Sequence, residues 1–518
     1  MPAVVVETRH GRIRGTDEDG LIVFRGVPYA AAPVGRRRFR PPRPPESWSD
    51  VRPAIEFGPM CPQPPASVLE SIPGDPSERS EDCLTLNIWT PGLDAANRPV
   101  MVFLHGGGFT SGSSSVSVYH GAALARHGVV VITLNYRLGV FGWLAHPALG
   151  DSEGRSGFGN WGLRDQIAAL GFVREHASRL GGDPGNVTIF GESAGAMCVA
   201  ALLAAPEARG LFRRAIMQSG AAAAIGAAEA TRVAEAVAVE LGLGALSRDA
   251  LLARPVEDLL AAQQAVAAAV PANGLAFQPV VDGGALLQHP AAAIAAGSAD
   301  GVDLLVGTNR DEWALFTLGA TGQQEIDEGR LLRLVASTIR AAGLAERVPA
   351  EEFIEVHRRA RAARGEPVDP PALYTALGSD WVFRVPSMRL LTAQRSHRGG
   401  TYAYLFDWET PFAGGGLGSC HALELPFVFG TLDNPFVALF TGSGPEAEAL
   451  SASMQAAWVA FARTGDPFLA GGCPWPVYSP SDRATMRLGR EIEPVFAPME
   501  PERAWLDDHL GPFGEMER

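Results

Sequence analysis

The sequence contains no lysine. All 43 basic side chains of this 518-residue chain are arginine. The absence excludes Schiff-base chemistry, the anchoring of pyridoxal phosphate, the phosphate-binding lysine of Walker A loops and the hydrolases that pair a serine with a lysine. If a serine in this chain acts as a nucleophile, its base must therefore be a histidine.

The chain also has no excess of positive charge. The formal net charge is -14 and the isoelectric point is near 5.3, which argues against nucleic acid and anionic membranes as partners. No run of about 18 apolar residues could span a membrane, and residues 1–9 lack the apolar segment of a signal peptide. We expect a cytoplasmic protein with no nucleic-acid or membrane partner.

Metal-binding spacings do not occur either. We find no Cys-x-x-Cys, His-Glu-x-x-His or EF-hand pattern, and therefore predict neither a metal nor another cofactor. The sequence has five cysteines. An odd number without a secretion signal argues against a disulfide framework.

Strands and helices alternate over residues 99–220, which predicts an α/β fold with a large, mostly parallel twisted sheet flanked by helices. Short alternating apolar runs in residues 1–60 predict antiparallel edge strands. The segments at about 221–300 and 325–400 are helical in pattern, and we interpret them as caps that shape a pocket. Strands are predicted at 21–24, 81–89, 100–104, 129–134, 302–306 and 401–406, and helices after Asn160, Gly195 and Pro445.

The centre of this organisation is the segment from Asn186 to Met197, where a buried strand meets an Ala-rich helix. Gly191-x-Ser193-x-Gly195 lies between them. A sharp strand-to-helix turn exposes a serine hydroxyl and leaves the Ala194 N–H free at a helix N-terminus. The glycines provide the space that such a turn needs. The alternative is a glycine-rich turn that merely contains a serine.

A second glycine-rich stretch, His105-Gly106-Gly107-Gly108-Phe109, follows the strand at 100–104. Its backbone N–H groups could form either a phosphate cradle or an oxyanion hole. No Walker-type helix with lysine follows, and this motif is the usual partner of a serine turn. We therefore choose the oxyanion hole.

The base and the acid should follow the serine, with the acid first. The later histidines are His289, His357, His397, His421 and His509. We expect His289, His357 and His397 to be solvated, whereas His421 lies in a glycine-rich loop between predicted sheet elements and is the best candidate base. For the acid, Asp311 and Glu312 stand together at a strand end, and spacing does not separate them.

Several motifs resemble those of the type-B carboxylesterases, most of all the bacterial para-nitrobenzyl esterases. They run through most of the chain: Gly26-Val27-Pro28-Tyr29-Ala30, Glu81-Asp82-Cys83-Leu84, His105-Gly106-Gly107-Gly108-Phe109, Asn135-Tyr136-Arg137, Gly191-Glu192-Ser193-Ala194-Gly195, Asp311-Glu312, His421-Ala422-Leu423-Glu424-Leu425-Pro426-Phe427 and Thr464-Gly465-Asp466-Pro467. The resemblance implies one α/β-hydrolase domain over residues 1–518.

By motif position, the resemblance implies that Ser193 is the nucleophile, Glu312 the acid and His421 the base. The implied oxyanion donors are the N–H groups of Gly107, Gly108 and Ala194.

The sequence departs from the family at two positions, Trp313 after the acidic pair and Leu180 before the serine turn. Cys61 and Cys83 match positions that form a disulfide in some members. The loop at 62–82 contains no aromatic residue. A choline-ester specialist, which would bind its cation there by cation–π contact, is therefore not expected.

The predicted reaction is hydrolysis of small-molecule carboxylic esters through an acyl-enzyme. Activity should fall at acidic pH near an apparent pKa of about 6.5 before local shifts. Glu192, next to the candidate nucleophile, could tune the field in the pocket or favour cationic groups, but we expect a paired structural residue. We expect the protein to be a monomer or weak homo-oligomer. Two alternatives stay open at this point: a non-catalytic binding module of the same fold, and an amidase or thioesterase with the same residues.

Overall fold

The computed structural model of the chain describes residues 4–65, 78–150, 157–270, 274–318, 326–468, 473–511 and 513. The strands in these ranges are β1 Val4–Thr8, β2 Gly11–Glu18, β3 Leu21–Pro28, β4 Arg52–Pro53, β5 Thr85–Thr90, β6 Arg98–Leu104, β7 Val130–Leu134, β8 Gly182–Glu192, β9 Arg214–Gln218, β10 Ile225–Gly226, β11 Val280–Val281, β12 Asp303–Asn309, β13 Thr401–Phe406, β14 Ala484–Leu488 and β15 Ile492–Phe496.

Helices cover both faces of the sheet and form separate groups beside it. They are α1 Ala122–Arg126, α2 Gly139–Trp143, α3 Trp161–His176, α4 Ala194–Ala204, α5 Ala227–Glu240, α6 Arg248–Leu252, α7 Val256–Ala268, α8 Pro290–Ala295, α9 Ala314–Thr317, α10 Glu328–Ala341, α11 Ala350–Arg364, α12 Pro370–Ser379, α13 Val385–Gln394, α14 Leu425–Phe429, α15 Pro435–Thr441, α16 Pro445–Thr464 and α17 Glu500–Leu510. A π-helical turn at Asp380–Arg384 joins α12 to α13.

One large sheet organises the described chain. Its strand order is β1-β2-β3-β5-β7-β6-β8-β9-β12-β13-β14-β15, with β4 paired to β2. The strands from β7 to β14 along this order run parallel, and the outer pairs at both ends are antiparallel. The predicted α/β class, the mostly parallel sheet and the antiparallel N-terminal edge are therefore confirmed.

The central strands are buried on both faces, as helix-covered parallel strands require. In β6, Val102 packs into the cluster that contains α3 and α4, and its neighbour Phe103 packs into the cluster on the opposite face with α14 and α16. This alternation explains the continuous apolar run seen in the sequence. A third apolar cluster joins α10 to α13 with α17, so the helical segment near 325–400 has a core of its own.

The parallel strands end at one edge of the sheet, and the residues singled out in the sequence follow those ends. The glycine-rich loop follows β6, Ser193 follows β8, and Glu312 comes three residues after the end of β12. Carboxyl ends of parallel strands are the usual site of chemistry in open α/β sheets. The topology therefore brings distant parts of the sequence to one place.

Other features differ from the sequence prediction or add to it. The sequence pattern predicted no strand after α16, yet β14 and β15 extend the sheet there. No described helix has the length and apolar composition needed to cross a membrane. Cys61 and Cys83 are both buried and are not joined by a disulfide. A hydrogen bond to the Cys61 thiol and burial both raise the pKa of Cys83. Part of the loop between them, residues 66–77, lies outside the described residues.

Gly195 should not tolerate a methyl group, because α4 crosses the end of β6 at close range. A Cβ atom on Gly195 would lie 2.0 Å from the Leu104 carbonyl oxygen. We expect Gly195→Ala to lower the free energy of unfolding by about 1–3 kcal/mol, measured by chemical denaturation followed by circular dichroism.

Gly171, within α3, provides the matched control because a Cβ atom there would meet nothing within 4 Å. Gly171→Ala should raise the free energy of unfolding by up to about 1 kcal/mol, since alanine favours a helix interior. Equal effects of the two substitutions would contradict this account of the crossing.

Candidate active site

Ser193 occupies a strained turn between β8 and α4. Its backbone has φ 56° and ψ -125°, a region that non-glycine residues adopt only when their surroundings impose it. The Ser193 N–H donates to the carbonyl of Gln218 at 2.9 Å, which anchors the turn to the end of β9. Ser193 as a whole residue is partly exposed.

The glycine-rich loop lies against this turn. Gly107 has φ 107°, and a Cβ atom there would come within 2.2 Å of the Ser111 carbonyl oxygen, so only glycine fits. The Tyr136 hydroxyl donates to the His105 carbonyl at 2.7 Å and holds the start of the loop. In the described ranges, the N–H groups of Gly107, Gly108 and Ala194 donate to no protein acceptor. They are thus free to bind an anionic oxygen.

His421 and Glu312 meet at the same edge of the sheet. His421 Nδ1 donates to Glu312 Oε2 at 2.6 Å, and Glu312 Oε1 accepts the Asn309 N–H at 2.7 Å. Asp311 instead accepts the Ser419 N–H at 2.9 Å and pairs with Arg310 at 2.8 Å. The fold therefore brings Glu312, and not Asp311, to the imidazole.

Glu192 contacts the other nitrogen of the same imidazole. Its Oε1 lies 3.0 Å from His421 Nε2, and Glu192 is only 3% exposed. The partner of Glu192 is thus the candidate base itself. Ser193 Oγ makes no hydrogen bond to any described residue.

Two phenylalanines flank the imidazole, and the sequence did not reveal either of them. The ring centres of Phe316 and Phe383 lie 5.0 Å and 4.8 Å from that of His421. Phe383 belongs to the π-helical turn, whose position beside the sheet is a tertiary property without a local signal. Phe316 lies four residues after Glu312, in α9, so only its proximity in sequence to the acid could have pointed to it.

Comparisons with known proteins agree with this geometry. The carboxylesterase family model matches residues 2–503. The chain is 39% identical to the para-nitrobenzyl esterase of Bacillus subtilis (strain 168), over 95% of this chain and 96% of that protein. A solved para-nitrobenzyl esterase superimposes with a TM-score of 0.85 at 38% identity, covering 97% of this chain and 99% of that chain.

The chain belongs to the carboxylesterase family.

Two further relatives support membership of this family. The chain is 35% identical to the phenmedipham hydrolase of Pseudarthrobacter oxydans, over 94% of this chain and 95% of that protein. A carboxylesterase structure from Geobacillus stearothermophilus matches with a TM-score of 0.84 at 41% identity, over 96% of this chain and 99% of that chain. The protein is therefore a carboxylic ester hydrolase with the α/β-hydrolase fold, and the binding-module alternative is set aside.

The ring of Trp313, which departs from the family pattern, packs against Phe316, with the ring centres 4.9 Å apart. Its backbone N–H donates to Ser379 Oγ at 3.0 Å. Its ring lies over Gly378, where a Cβ atom would come within 2.3 Å of the indole. A glycine on α12 thus provides the space for this tryptophan in the carboxylesterase.

Two histidines were wrongly expected to be solvated. His357 is 1% exposed and its Nε2 lies 2.9 Å from Asp380, and His289 is 5% exposed and caps the N-terminus of α8. Helix packing buries both, which the Arg-rich or loop-like local sequence did not indicate. Within the described ranges, no group of three or more His, Cys, Asp or Glu side chains is placed to hold a metal ion.

Carboxylates dominate the electrostatics around His421. Burial by itself lowers the pKa of the imidazole, but the charges of Glu192 and Glu312 outweigh it and raise that pKa above its usual value. Burial also raises the pKa of Glu192, with Glu424 and Glu312 adding to the effect against the attraction of His421. The local charges therefore move the expected acid limb above the unshifted value of about 6.5.

The raised pKa of His421 should be visible in the acid limb of the pH profile, where kcat/KM falls as the pH is lowered. Because a histidine base works only when neutral, a raised pKa of His421 places the loss of kcat/KM above pH 6.5 as the pH falls. Glu192→Gln removes one negative charge beside Nε2, lowers the pKa of His421 and should move the acid limb down by about 1 to 2 pH units. Initial rates on a simple alkyl ester, followed by pH-stat titration, measure both profiles. Superimposable profiles would contradict the assignment of Glu192 as the controlling charge.

Proposed function

We propose that the carboxylesterase uses Ser193 as its nucleophile, His421 as its base and Glu312 as its acid. The observation that carries this proposal is the pair of hydrogen bonds that holds Glu312 between the Asn309 N–H and His421 Nδ1. This arrangement orients the imidazole and stabilises its cation, as the acid of a serine triad does. The partly exposed Ser193, at the same edge of the sheet, supports the assignment of the nucleophile.

The proposed reaction has two steps. His421 Nε2 leaves Glu192, engages Ser193 Oγ and takes its proton as the oxygen attacks the ester carbonyl. The alcohol departs with that proton, and the acyl group remains on Ser193. A water molecule, deprotonated by His421, then releases the carboxylic acid and restores the serine.

The N–H groups of Gly107, Gly108 and Ala194 are the proposed oxyanion hole. Ala194 is the first residue of α4, so its N–H lies at the positive end of a helix. Donors that are fixed before the reaction stabilise the tetrahedral intermediate without reorganising, and each is worth roughly 100- to 1000-fold in rate. Their freedom from protein acceptors supports this role.

The substrates are proposed to be small esters that carry an aromatic or apolar group. Phe316 and Phe383 beside the imidazole support this class, because aromatic rings bind flat apolar groups by stacking. A relative is named a para-nitrobenzyl esterase, which makes benzyl esters the first substrates to test. We further propose that residues 1–518 act as one domain in which the helical segments at about 221–300 and 325–400 wall the substrate cleft.

The cellular setting is part of the same proposal. We propose that the esterase works in the cytoplasm as a monomer or weak homo-oligomer. An odd number of cysteines suits a reducing compartment. Light scattering of the purified protein measures its oligomeric state.

Ser193→Ala should abolish turnover. The variant retains the fold but has no nucleophile, so kcat on p-nitrobenzyl acetate should fall by about 10⁴-fold or more. An organophosphate should add one phosphoryl group to wild type, detected by intact mass and mapped to Ser193, and none to the variant. Ser451→Ala, which removes a buried hydroxyl on α16 that bonds to the Phe427 carbonyl, should keep both turnover and labelling. Equal turnover by Ser193→Ala and wild type would contradict the assignment of Ser193 as the nucleophile.

Neighbouring carboxylates allow a second test. Glu312→Gln removes the charge that stabilises the imidazolium and should reduce kcat by about 100- to 10,000-fold. Asp311→Asn changes a carboxylate one residue away that faces Arg310 and the Ser419 N–H, and kcat should stay within about tenfold of wild type. Steady-state kinetics on the same ester compare the two variants. A larger loss in Asp311→Asn would reverse the assignment.

A further inference from the structure

Asn309, the last residue of β12, makes three donor contacts around the imidazole. Its backbone N–H donates to Glu312 Oε1, and its side-chain Nδ2 donates to the Cys420 carbonyl and to Glu424 Oε2, each at 2.7 Å. One fully buried residue therefore contacts the acid, the residue before the base, and a second carboxylate three residues after the base.

The side-chain amide of Asn309 donates hydrogen bonds but accepts none from a described residue. Both contacts of the Asn309 side chain use its N–H₂ group, whereas its Oδ1 is buried with no partner among the described residues. An unpaired buried oxygen is costly, so it persists where the donors on the same group are needed. The side chain is thus arranged to donate.

Glu424 links this amide to the nucleophile. It is fully buried, and its Oε1 accepts the Gln218 side-chain N–H at 3.1 Å. The backbone carbonyl of Gln218 in turn accepts the backbone N–H of Ser193 at 2.9 Å. Trp458 Nε1 donates to Gln218 Oε1 at 3.1 Å and fixes the orientation of that amide. A continuous network therefore runs from Glu312 through Asn309, Glu424 and Gln218 to Ser193.

We propose that Asn309 is a positioning residue of the esterase, which acts through Glu424 and the Cys420 carbonyl to hold the imidazole of His421 between Glu312 and Ser193. This inference rests on the proposed roles of those three residues. Asn309 touches neither the reacting serine nor the imidazole, so its effect is indirect. Its side-chain donor favours the charged form of Glu424 against burial and the charge of Glu312, which raise the pKa of that carboxyl. Its second contact keeps the loop that carries His421 in register with the end of β12.

Removing the donors has two expected consequences. Without Nδ2, the Cys420 carbonyl loses its partner and the loop that bears His421 is less constrained. Glu424 keeps one donor only, so its charged form is disfavoured, and a neutral Glu424 no longer favours the cation of His421. The first change lowers kcat, and the second moves the acid limb of the pH profile to lower pH.

The test combines Asn309→Leu, which has similar volume and no donor, with Glu424→Gln in a double-mutant cycle. Asn309→Leu should lower kcat by about 10- to 100-fold with KM within about threefold, and should shift the acid limb down by about half to one pH unit. Because both substitutions act through the charge of Glu424, the double variant should show the pH shift of Glu424→Gln alone. Asn309→Ser, whose hydroxyl is too short to reach Glu424, carries the same expectations if the leucine variant does not fold.

Gln394 on α13 provides the control for a general loss of a buried amide. It is fully buried and its Nε2 donates to the Ala299 carbonyl at 2.9 Å, remote from the imidazole. Gln394→Leu should lower the melting temperature and leave kcat and the acid limb unchanged in the folded protein.

The outcomes separate this inference from the proposed function. If Ser193→Ala, assayed in parallel, keeps wild-type turnover, the proposed function fails. If that variant is inactive while Asn309→Leu has wild-type kcat and acid limb, or if the pH shifts of the two substitutions add, only the positioning role is overturned. A kcat loss equal to that of Gln394→Leu also overturns it.

Discussion

The close approach of α4 to the end of β6 is the contact on which the active site depends. Gly195 lies so near the Leu104 carbonyl that no side chain fits between them. The same approach forces the backbone at Ser193 into its strained conformation, since the chain must reverse within one residue. The glycine-rich loop begins directly after Leu104, so its N–H groups emerge beside the N-terminus of α4. One steric constraint thus places the proposed nucleophile, Ser193, and the three proposed oxyanion donors together.

Charge is the second constraint. Glu192, Glu312 and Glu424 are buried around the single imidazole of His421, and buried charges are costly unless partners compensate them. The protein provides amide donors for Glu424 and both a backbone N–H and the imidazole for Glu312. The remaining negative potential favours the imidazolium of His421, the form that the proposed mechanism generates during ester cleavage. The same potential raises the pKa of His421, so a smaller fraction of the imidazole is neutral at acidic pH. The charge that stabilises the imidazolium therefore also reduces the amount of neutral base.

The helical segments contain side-chain contacts that the sequence pattern did not predict. Their helices were predictable from composition, but which side chains they bury was not. His357 belongs to a helix rich in arginine, yet α11 packs in the cluster with α10, α12 and α17, and this packing buries the imidazole against Asp380. Phe383 reaches His421 only because a π-helical turn brings it to the sheet. Such contacts join residues far apart in the chain, so no local pattern carries them.

The sequence by itself determined the fold class, the serine turn, the glycine-rich loop and His421, because each depends on local periodicity or on small residues at fixed spacing. Residue pattern alone left Asp311 and Glu312 equivalent, and the family resemblance chose between them before the structure placed Glu312 on the imidazole. The contact of Glu192 with Nε2 and the donors of Asn309 were decided by tertiary structure alone. They arise where β8, β12 and the loop after β13 end at one edge, and the distances between such ends are set by strand order and register, which a single sequence does not express.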